Sequence, residues 1–205
     1  MICNIKMKSP IYEPAEDSYL LAETLKEFLN NNYNNKKSMK ILDMGSSSGI
    51  QAKTCIDLGF NNILAADINK DAVKELKKQK IKAIQTNLFS KLYKRKGDLS
   101  GETMVPIRFD LIIFNPPYLP EDKLEPVESS IATTAGKYGY ELIIKFLKQA
   151  KTHLNKDAKI LLLFSSLSKP NIIKNKAREF GYRLKLLNKK KLFFEELFVY
   201  GLKKN

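Results

Sequence analysis

The sequence Asn115-Pro116-Pro117-Tyr118 follows an apolar run, 109–114, and is the most specific chemical feature of the chain. Its two prolines fix the backbone and remove two N–H donors, so the Asn115 side-chain oxygen and the Pro116 carbonyl form a fixed pair of acceptors. Such a pair binds both hydrogens of a planar amino or amide group and turns the face of its nitrogen toward an electrophile. Tyr118 would lie flat against the substrate. The motif predicts chemistry on an NH2 group; a rigid turn that ends a strand is the alternative.

Three other segments place polar or small residues where strands end. Residues 43–49 (Asp-Met-Gly-Ser-Ser-Ser-Gly) lead from a strand into a helix through a turn that lets the backbone approach a ligand closely. Asp67 ends the next strand, where a carboxylate can accept two hydrogen bonds from a ribose diol. Asn87 ends the third strand and could bind an adenine amino group, with Leu88 contributing its backbone. Together they predict an adenosine-containing ligand. Taken singly, residues 43–49 could be a tight turn without a ligand, and Asn87 could be a strand-end cap.

The elements that must position these residues alternate between β-type runs and helical periodicity, which predicts an α/β domain on a largely parallel sheet. We expect one domain over 1–205, with an N-terminal helical segment at 1–38 and a catalytic core at 39–205. The predicted strands are 39–45, 62–68, 81–88, 109–114 and 159–165. One predicted helix begins at Pro14, and the others span 48–58, 69–80, 142–154 and 172–180.

Two segments depart from this alternation. Residues 182–187 and 192–202 are β-type runs joined by 188–191, which predicts an antiparallel hairpin at one edge of the sheet. Residues 91–108 lack periodicity and contain glycines, a proline and clustered charges, which predicts a mobile insertion.

Composition limits the classes of function. With 36 Lys+Arg against 22 Asp+Glu, the net charge of +14 favours acidic partners or nucleic acid. The chain has no apolar run long enough to cross a bilayer and no apolar secretory segment in residues 1–8, so we expect a soluble, cytoplasmic protein. Cys3 and Cys55 stand apart and His153 is the single histidine, which disfavours a disulfide framework, a metal site and Ser–His or Cys–His catalysis.

In their order along the chain, the segment 43–49, Asp67, Asn87 and the Asn-Pro-Pro-Tyr motif resemble class I S-adenosylmethionine-dependent methyltransferases that methylate amino groups. Residues 12–18 (Tyr-Glu-Pro-Ala-Glu-Asp-Ser) are similar to the N-terminal signature of the archaeal and eukaryotic HemK-related glutamine methyltransferases. Residues 135–141 and 192–196 resemble further stretches of that family. The sequence departs from the family pattern at Ser47, where a glycine is usual, and at Gly136, which is single where many relatives have a pair.

The resemblance implies a seven-stranded Rossmann-like fold and methylation of the side-chain amide of glutamine. The glutamine would be that of the Gly-Gly-Gln motif in a class I translation termination (release) factor, and S-adenosylmethionine would donate the methyl group. The implied catalytic residues are Asn115, Pro116, Pro117 and Tyr118, of which Asn115 and Tyr118 would also bind substrate. The implied cofactor-binding residues are Ser18, Asp43, Gly45, Gly49, Asp67, Asn87, Leu88 and Asn115.

The resemblance also implies a heterodimer with a small zinc-binding activator protein, in which the metal belongs to the partner. Two other activities remain open: methylation of adenine N6 in DNA or RNA, which the same four-residue motif serves, and methylation of a protein lysine. A non-catalytic cofactor-binding subunit is a further alternative, against which the intact motif argues, because a scaffold has no need of the acceptor pair.

Overall fold

The computed structural model describes residues 11–33, 38–98, 101–119 and 136–205, and its largest feature is a seven-stranded sheet. The strands are β1 Ile41–Met44, β2 Ile63–Asp67, β3 Ala83–Gln85, β4 Tyr93–Asp98, β5 Gly101–Pro106, β6 Phe109–Phe114, β7 Leu154–Ser165, β8 Tyr182–Lys191 and β9 Glu196–Lys204. The α-helices are α1 Glu16–Tyr33, α2 Ile50–Asp57, α3 Lys70–Lys78, α4 Glu141–Ala150 and α5 Pro170–Glu179. Short 3-10 turns follow α4 at Lys151–His153 and β7 at Ser166–Ser168.

The order across the sheet is β3-β2-β1-β6-β7-β9-β8. All neighbouring strands are parallel except that β9 runs antiparallel to both β7 and β8. This confirms the predicted Rossmann-like α/β fold with an antiparallel hairpin at one edge. In this topology the carboxyl ends of β1, β2 and β6, which carry the predicted site residues, meet at one edge of the sheet.

Helices cover both faces of the sheet because its central strands are apolar on both sides. In β6, Ile112 and Phe114 pack in one core with α4 and α5, while Leu111 and Ile113 pack in the other with α1, α2 and α3. Strand β1 divides its side chains between the two cores in the same way. The continuous apolar run of β6 therefore contributes side chains to both cores. It also fixes the position of Asn115, the residue that follows it.

Residues 91–108 contain a regular β-hairpin, formed by β4 and β5 in a separate two-stranded sheet. The stretch that the sequence predicts to be a mobile insertion thus contains two regular strands, which its lack of periodicity does not indicate. The side chains of the hairpin are largely exposed to solvent. Its sequence therefore has consecutive charges at 94–96 and lacks the alternation of apolar and polar residues that marks a half-buried strand.

The C-terminal hairpin is confirmed, but its turn lies later than predicted. Residues 188–191 belong to β8, and the turn occupies 192–195. The pairing shifts by one residue between Leu186 and Asn188, a bulge that leaves Leu187 without a partner in the register. Lysines at the exposed edge of a sheet discourage pairing with other chains. The polar composition of 188–191 therefore resembles that of a loop, although these residues lie in the edge strand.

Smaller differences concern where elements begin and end. Leu154, predicted to complete a helical stripe, begins β7, and β3 ends two residues before Asn87. No helix in the described ranges is long and apolar enough to span a membrane. Among those same residues no group of three or more His, Cys, Asp or Glu could hold a metal ion. Cys3, residues 1–8 and Ala135 of the family-like stretch lie outside the described residues.

Candidate active site

The turn after β1 is the first part of the site, and two glycines shape it. Gly45 and Gly49 have φ values of +63° and +85°. A Cβ at Gly45 would lie 3.2 Å from the Phe114 ring, and one at Gly49 would lie 2.6 Å from Leu76 Cδ2. Ser47 also takes a left-handed conformation, with φ of +46°. The serine that stands where the family usually has glycine thus adopts the backbone conformation that glycine favours.

The side chain of Asp43, in β1, holds this turn in place through hydrogen bonds. It is almost fully buried, and its Oδ2 accepts hydrogen bonds from Ser46 Oγ at 2.6 Å and from the Ala52 backbone N–H at 3.0 Å. Burial raises the pKa of the carboxyl to about 7, against the lowering effect of these two hydrogen bonds. Asp43 therefore ties the end of β1 to the first turn of α2 and sets the path of the intervening loop.

Asp67, at the end of β2, links the same turn to α3. Its Oδ2 accepts from the Ser47 N–H at 2.8 Å and its Oδ1 from the Asn69 N–H at 2.7 Å. Burial raises its pKa as well. The Ile68 N–H is a third donor to this carboxylate, which has four lone pairs, so Asp67 retains capacity for a further donor such as a ribose hydroxyl.

The segment after β3 contains the two residues predicted to face adenine. Asn87 is exposed, whereas Leu88 is buried and has a φ of +47°. The buried hydroxyl of Thr86 donates to the Leu88 carbonyl at 3.0 Å and accepts from the Lys91 N–H at 3.1 Å. Thr86 thereby fixes this turn, a function that sequence reasoning missed because a lone threonine carries no distinctive signal.

Asn115 is held by a contact that the sequence did not reveal. Its Nδ2 donates to Asp17 Oδ2 at 2.9 Å and lies 3.5 Å from Ser18 Oγ. A carboxylate only accepts hydrogen bonds, so it must face the NH2 side of the amide, and this fixes the amide orientation. The Asn115 Oδ1 is buried and accepts no hydrogen bond from any residue that the structure describes.

Asp17 is itself buried at the start of α1, where the helix dipole favours a negative charge. Its Oδ1 accepts from the Tyr12 hydroxyl at 3.0 Å and from the Ser18 N–H at 2.6 Å. Burial, together with the Asp17 charge, raises the pKa of Tyr12. The Ser18 carbonyl accepts from Gln51 Nε2 at 3.0 Å, so the network joins the N-terminal segment to α2. The signal that could have identified Asp17 was its place in the family-like segment 12–18.

Tyr118 closes the motif on its other side. Pro116 is buried, and Pro117 and Tyr118 are half-buried. The Tyr118 carbonyl accepts from Ser168 Oγ at 2.9 Å, which ties the motif to the 3-10 turn after β7. Burial raises the pKa of the Tyr118 phenol, and the charges of Asp17 and Glu195 add to this effect. The phenol therefore stays neutral, which suits a ring that packs rather than one that exchanges protons.

The structure thus places Ser18, Asp43, Asp67, Asn115 and Tyr118 at one edge of the sheet. At this edge a glycine-bearing turn and two acidic residues at strand ends lie next to the side-chain oxygen of Asn115. This is the arrangement of a class I methyltransferase. Residues 17–191 match the methyltransferase small domain family, and the chain belongs to that family. This confirms the resemblance on which the sequence interpretation relied.

Two relatives indicate the branch of the family. A Methanocaldococcus jannaschii protein with the provisional name protein N5-glutamine methyltransferase is 32% identical over 198 residues, covering 95% of this chain and 92% of that protein. A Clostridium botulinum release factor glutamine methyltransferase is 31% identical over 163 residues, covering 69% of this chain and 52% of that protein. The chain therefore spans about half the length of the Clostridium relative.

Solved structures agree on the fold. The E. cuniculi Mtq2–Trm112 complex, described as responsible for methylation of the eRF1 translation termination factor, superposes with a TM-score of 0.71 at 21% identity, covering 95% of this chain and 98% of that chain. A Thermus thermophilus 16S rRNA N2 G1207 methyltransferase, solved with AdoMet and guanosine, gives 0.63 at 19% identity, covering 94% and 44%.

Proposed function

We propose that the chain transfers a methyl group from S-adenosylmethionine to the N5 nitrogen of a glutamine side chain in a class I release factor, within its Gly-Gly-Gln motif. The observation that carries this proposal is the Oδ1 of Asn115, which is buried and accepts no hydrogen bond from the part of the chain that the structure describes. A buried acceptor without a donor is unfavourable, so a substrate that donates an N–H there gains binding energy. The names of the relatives in M. jannaschii and C. botulinum support glutamine as the residue that supplies this N–H.

The turn after β1 is where we place the cofactor. Any side chain at Gly45 would crowd the Phe114 ring beside the Asn115 carbonyl, which lies 3.8 Å from such a Cβ. In our proposal Asp43, Gly45 and Gly49 hold the methionine portion, and Asp67 accepts from the ribose hydroxyls. Asn87 and Leu88 would contact the adenine, and Ser18 would contact the cofactor from the N-terminal side.

The acceptors then act on the amide nitrogen. When bound, S-adenosylmethionine would supply an electrophilic methyl group: the carbon–sulfur bond breaks as the carbon–nitrogen bond forms, the cofactor leaves as its neutral thioether, and the methylated nitrogen releases one of its two protons to solvent. An amide nitrogen is a poor nucleophile because its lone pair is delocalised. Asn115 Oδ1 and the Pro116 carbonyl would hold its two hydrogens and favour the pyramidal nitrogen of the transition state over the planar ground state. Tyr118 would orient the amide plane.

We also propose that the protein works as one domain with a small zinc-binding activator as its partner. The packing of α1 in the same core as α2 and α3 supports the single domain. The likeness in fold to a chain solved as an Mtq2–Trm112 complex supports the partner. The chain expressed alone should then be poorly soluble or weakly active, and full activity as a monodisperse single chain would argue against dependence.

One experiment tests the substrate. The protein is incubated with labelled S-adenosylmethionine, a termination-factor domain and duplex DNA, and mass spectrometry locates the label. We expect the label on the glutamine amide. Label on adenine without label on glutamine would overturn the proposal in favour of a nucleic-acid methyltransferase, which the net charge of +14 also suits. Label on lysine would indicate the protein-lysine activity.

A further inference from the structure

The turn between β8 and β9, residues 192–195, lies beside the Asn115 site although it is far from Asn115 in sequence. Leu192, which begins this turn, packs in the same core as Tyr118. The Glu196 N–H bonds to Ser166, in the same 3-10 turn that binds the Tyr118 carbonyl, so the Glu195 segment lies near the Asn-Pro-Pro-Tyr motif. Burial raises the pKa of both Tyr12 and Tyr118, and the charge of Glu195 adds a smaller contribution to each.

Glu195 differs from the acidic residues around it. Its Oε2 is buried and accepts no hydrogen bond from the residues that the structure describes. The adjacent Glu196 pairs with Lys189 at 3.0 Å, and Glu16 pairs with Lys190. The lysines of the hairpin thus neutralise neighbouring carboxylates, while within the described ranges no salt bridge includes Glu195. Leaving a buried carboxylate oxygen without a donor costs free energy, which a ligand that donates an N–H would recover.

Two hydrogen bonds hold the backbone on either side of the Glu195 side chain. The Leu192 N–H donates to the Glu195 carbonyl at 2.8 Å, and the Glu196 N–H donates to Ser166 Oγ at 3.0 Å. Ser166 belongs to the 3-10 turn whose Ser168 binds the Tyr118 carbonyl. The Glu195 segment and the Asn-Pro-Pro-Tyr motif are therefore anchored on the same short element, which fixes one relative to the other.

Two aromatic side chains extend from the same turn into solvent. Phe193 is 91% exposed and Phe194 is 85% exposed, and their ring centroids lie 4.5 Å apart in an edge-to-face arrangement. Large apolar side chains this exposed beside a polar site are typical of a surface that a partner covers. A protein segment that enters the site is long enough to cover both rings as well.

We propose that Glu195 is a substrate-binding residue that accepts a hydrogen bond from a main-chain N–H of the peptide segment carrying the methylated glutamine. This inference rests on the proposed function. The two hydrogens of the glutamine amide are already assigned to Asn115 Oδ1 and the Pro116 carbonyl, so Glu195 must receive a different donor. A peptide offers an N–H at every non-proline residue, and a glycine-rich segment has no side chains to keep that N–H away from a recessed carboxylate.

The test compares Glu195→Ala and Glu195→Gln with the matched control Glu196→Gln, which makes the same charge change one residue away at a partly exposed ion pair. Steady-state kinetics with a termination-factor domain give kcat and KM, calorimetry gives the affinity for S-adenosylmethionine, and thermal melting checks the fold. We expect Glu195→Ala to raise KM for the factor by about 10- to 100-fold and Glu195→Gln by a smaller factor, with cofactor affinity unchanged. The control should stay within about twofold of wild type.

Each other outcome counts against the inference. Unchanged KM in Glu195→Ala overturns it, and so does a lowered melting temperature with unchanged KM, which would mean a structural function. Loss of cofactor affinity with unchanged KM would assign Glu195 to the cofactor instead. Absence of labelling by the wild-type protein assayed together with its activator partner overturns the proposed function and this inference with it, whereas wild-type labelling with unaltered variants overturns the inference alone.

Discussion

Replacing Asp17 with asparagine should disable methyl transfer without removing any residue that contacts substrate. Asp17 receives three hydrogen bonds, from Tyr12, Ser18 and Asn115, at 3.0, 2.6 and 2.9 Å. An asparagine at position 17 has one oxygen and one NH2 group, so it cannot accept on both sides. If its oxygen faces Tyr12 and Ser18, its NH2 group faces that of Asn115, and Asn115 must rotate its amide.

The rotation would place the Asn115 NH2 group where the substrate needs an acceptor. Removing a positioned polar group from comparable electrostatic sites costs on the order of 10²–10³ in rate, so we expect kcat to fall by about 10². Stability should fall by only about 1 kcal/mol, because the rotated Asn115 replaces a charge-assisted hydrogen bond with a neutral one. Affinity for S-adenosylmethionine should change little.

Single-turnover transfer to the termination-factor domain, with calorimetry for the cofactor, measures these effects. Glu16→Gln is the matched control, since it removes a neighbouring charge in the same helical turn from an exposed ion pair with Lys190, which is worth at most about 1 kcal/mol. A folded Asp17→Asn protein that transfers methyl groups within threefold of the wild-type rate would refute the idea that Asp17 sets the orientation of Asn115.

Three further predictions concern the motif, the cofactor turn and the buried carboxyl. Asn115→Ala should lower kcat by about 10²–10³ while cofactor affinity stays within a few-fold, and equal loss of both would contradict the assigned function. Gly49→Ala should destabilise the protein by about 1–3 kcal/mol in thermal melts, because its Cβ would meet Leu76 at 2.6 Å. Gly181→Ala is its control, having a similar φ of +81° but a nearest neighbour, Lys151 Nζ, at 3.7 Å, and it should cost less. Asp43 has a pKa of about 7 against an ordinary value of 3.8, so its contribution to stability is greatest below about pH 4 and is lost as pH rises through 7. Asp43→Asn retains an oxygen for both hydrogen bonds but cannot ionise. Urea denaturation at pH 4.5 and 7.5 should therefore show that the variant gains stability relative to wild type at the higher pH. A stability difference that does not depend on pH would argue against the raised pKa.

Periodicity and strand-end residues allowed the fold to be predicted because both depend on local spacing. The apolar run of β6 indicated a central strand, and the positions of Asp43, Asp67 and Asn115 after parallel strands indicated a common edge. The hairpin of β8 and β9 was predicted from its two β-type runs. These features need no knowledge of which distant residues touch.

The contacts that orient the site could not be predicted in this way. Asp17 and Asn115 are separated by 98 residues, and no spacing rule relates a polar residue at a helix start to one after a strand. The position of Glu195 depended on a bulge near Leu187 and on which lysines belong to β8. The β4–β5 hairpin was missed because it buries neither face and so lacks the alternation that reveals a strand.

The interior position of β9 has a consequence for the order in which the molecule can assemble during synthesis. Strand β9 lies between β7 and β8 and bonds to both, yet it leaves the ribosome after them. Strands β1, β2, β3 and β6, with Asp43, Asp67 and Asn115, can associate while residues 196–204 are still being made, but β8 has no partner until those residues emerge. The cofactor edge can therefore form early in translation, whereas Glu195 and the two phenylalanines reach their positions only with the last strand.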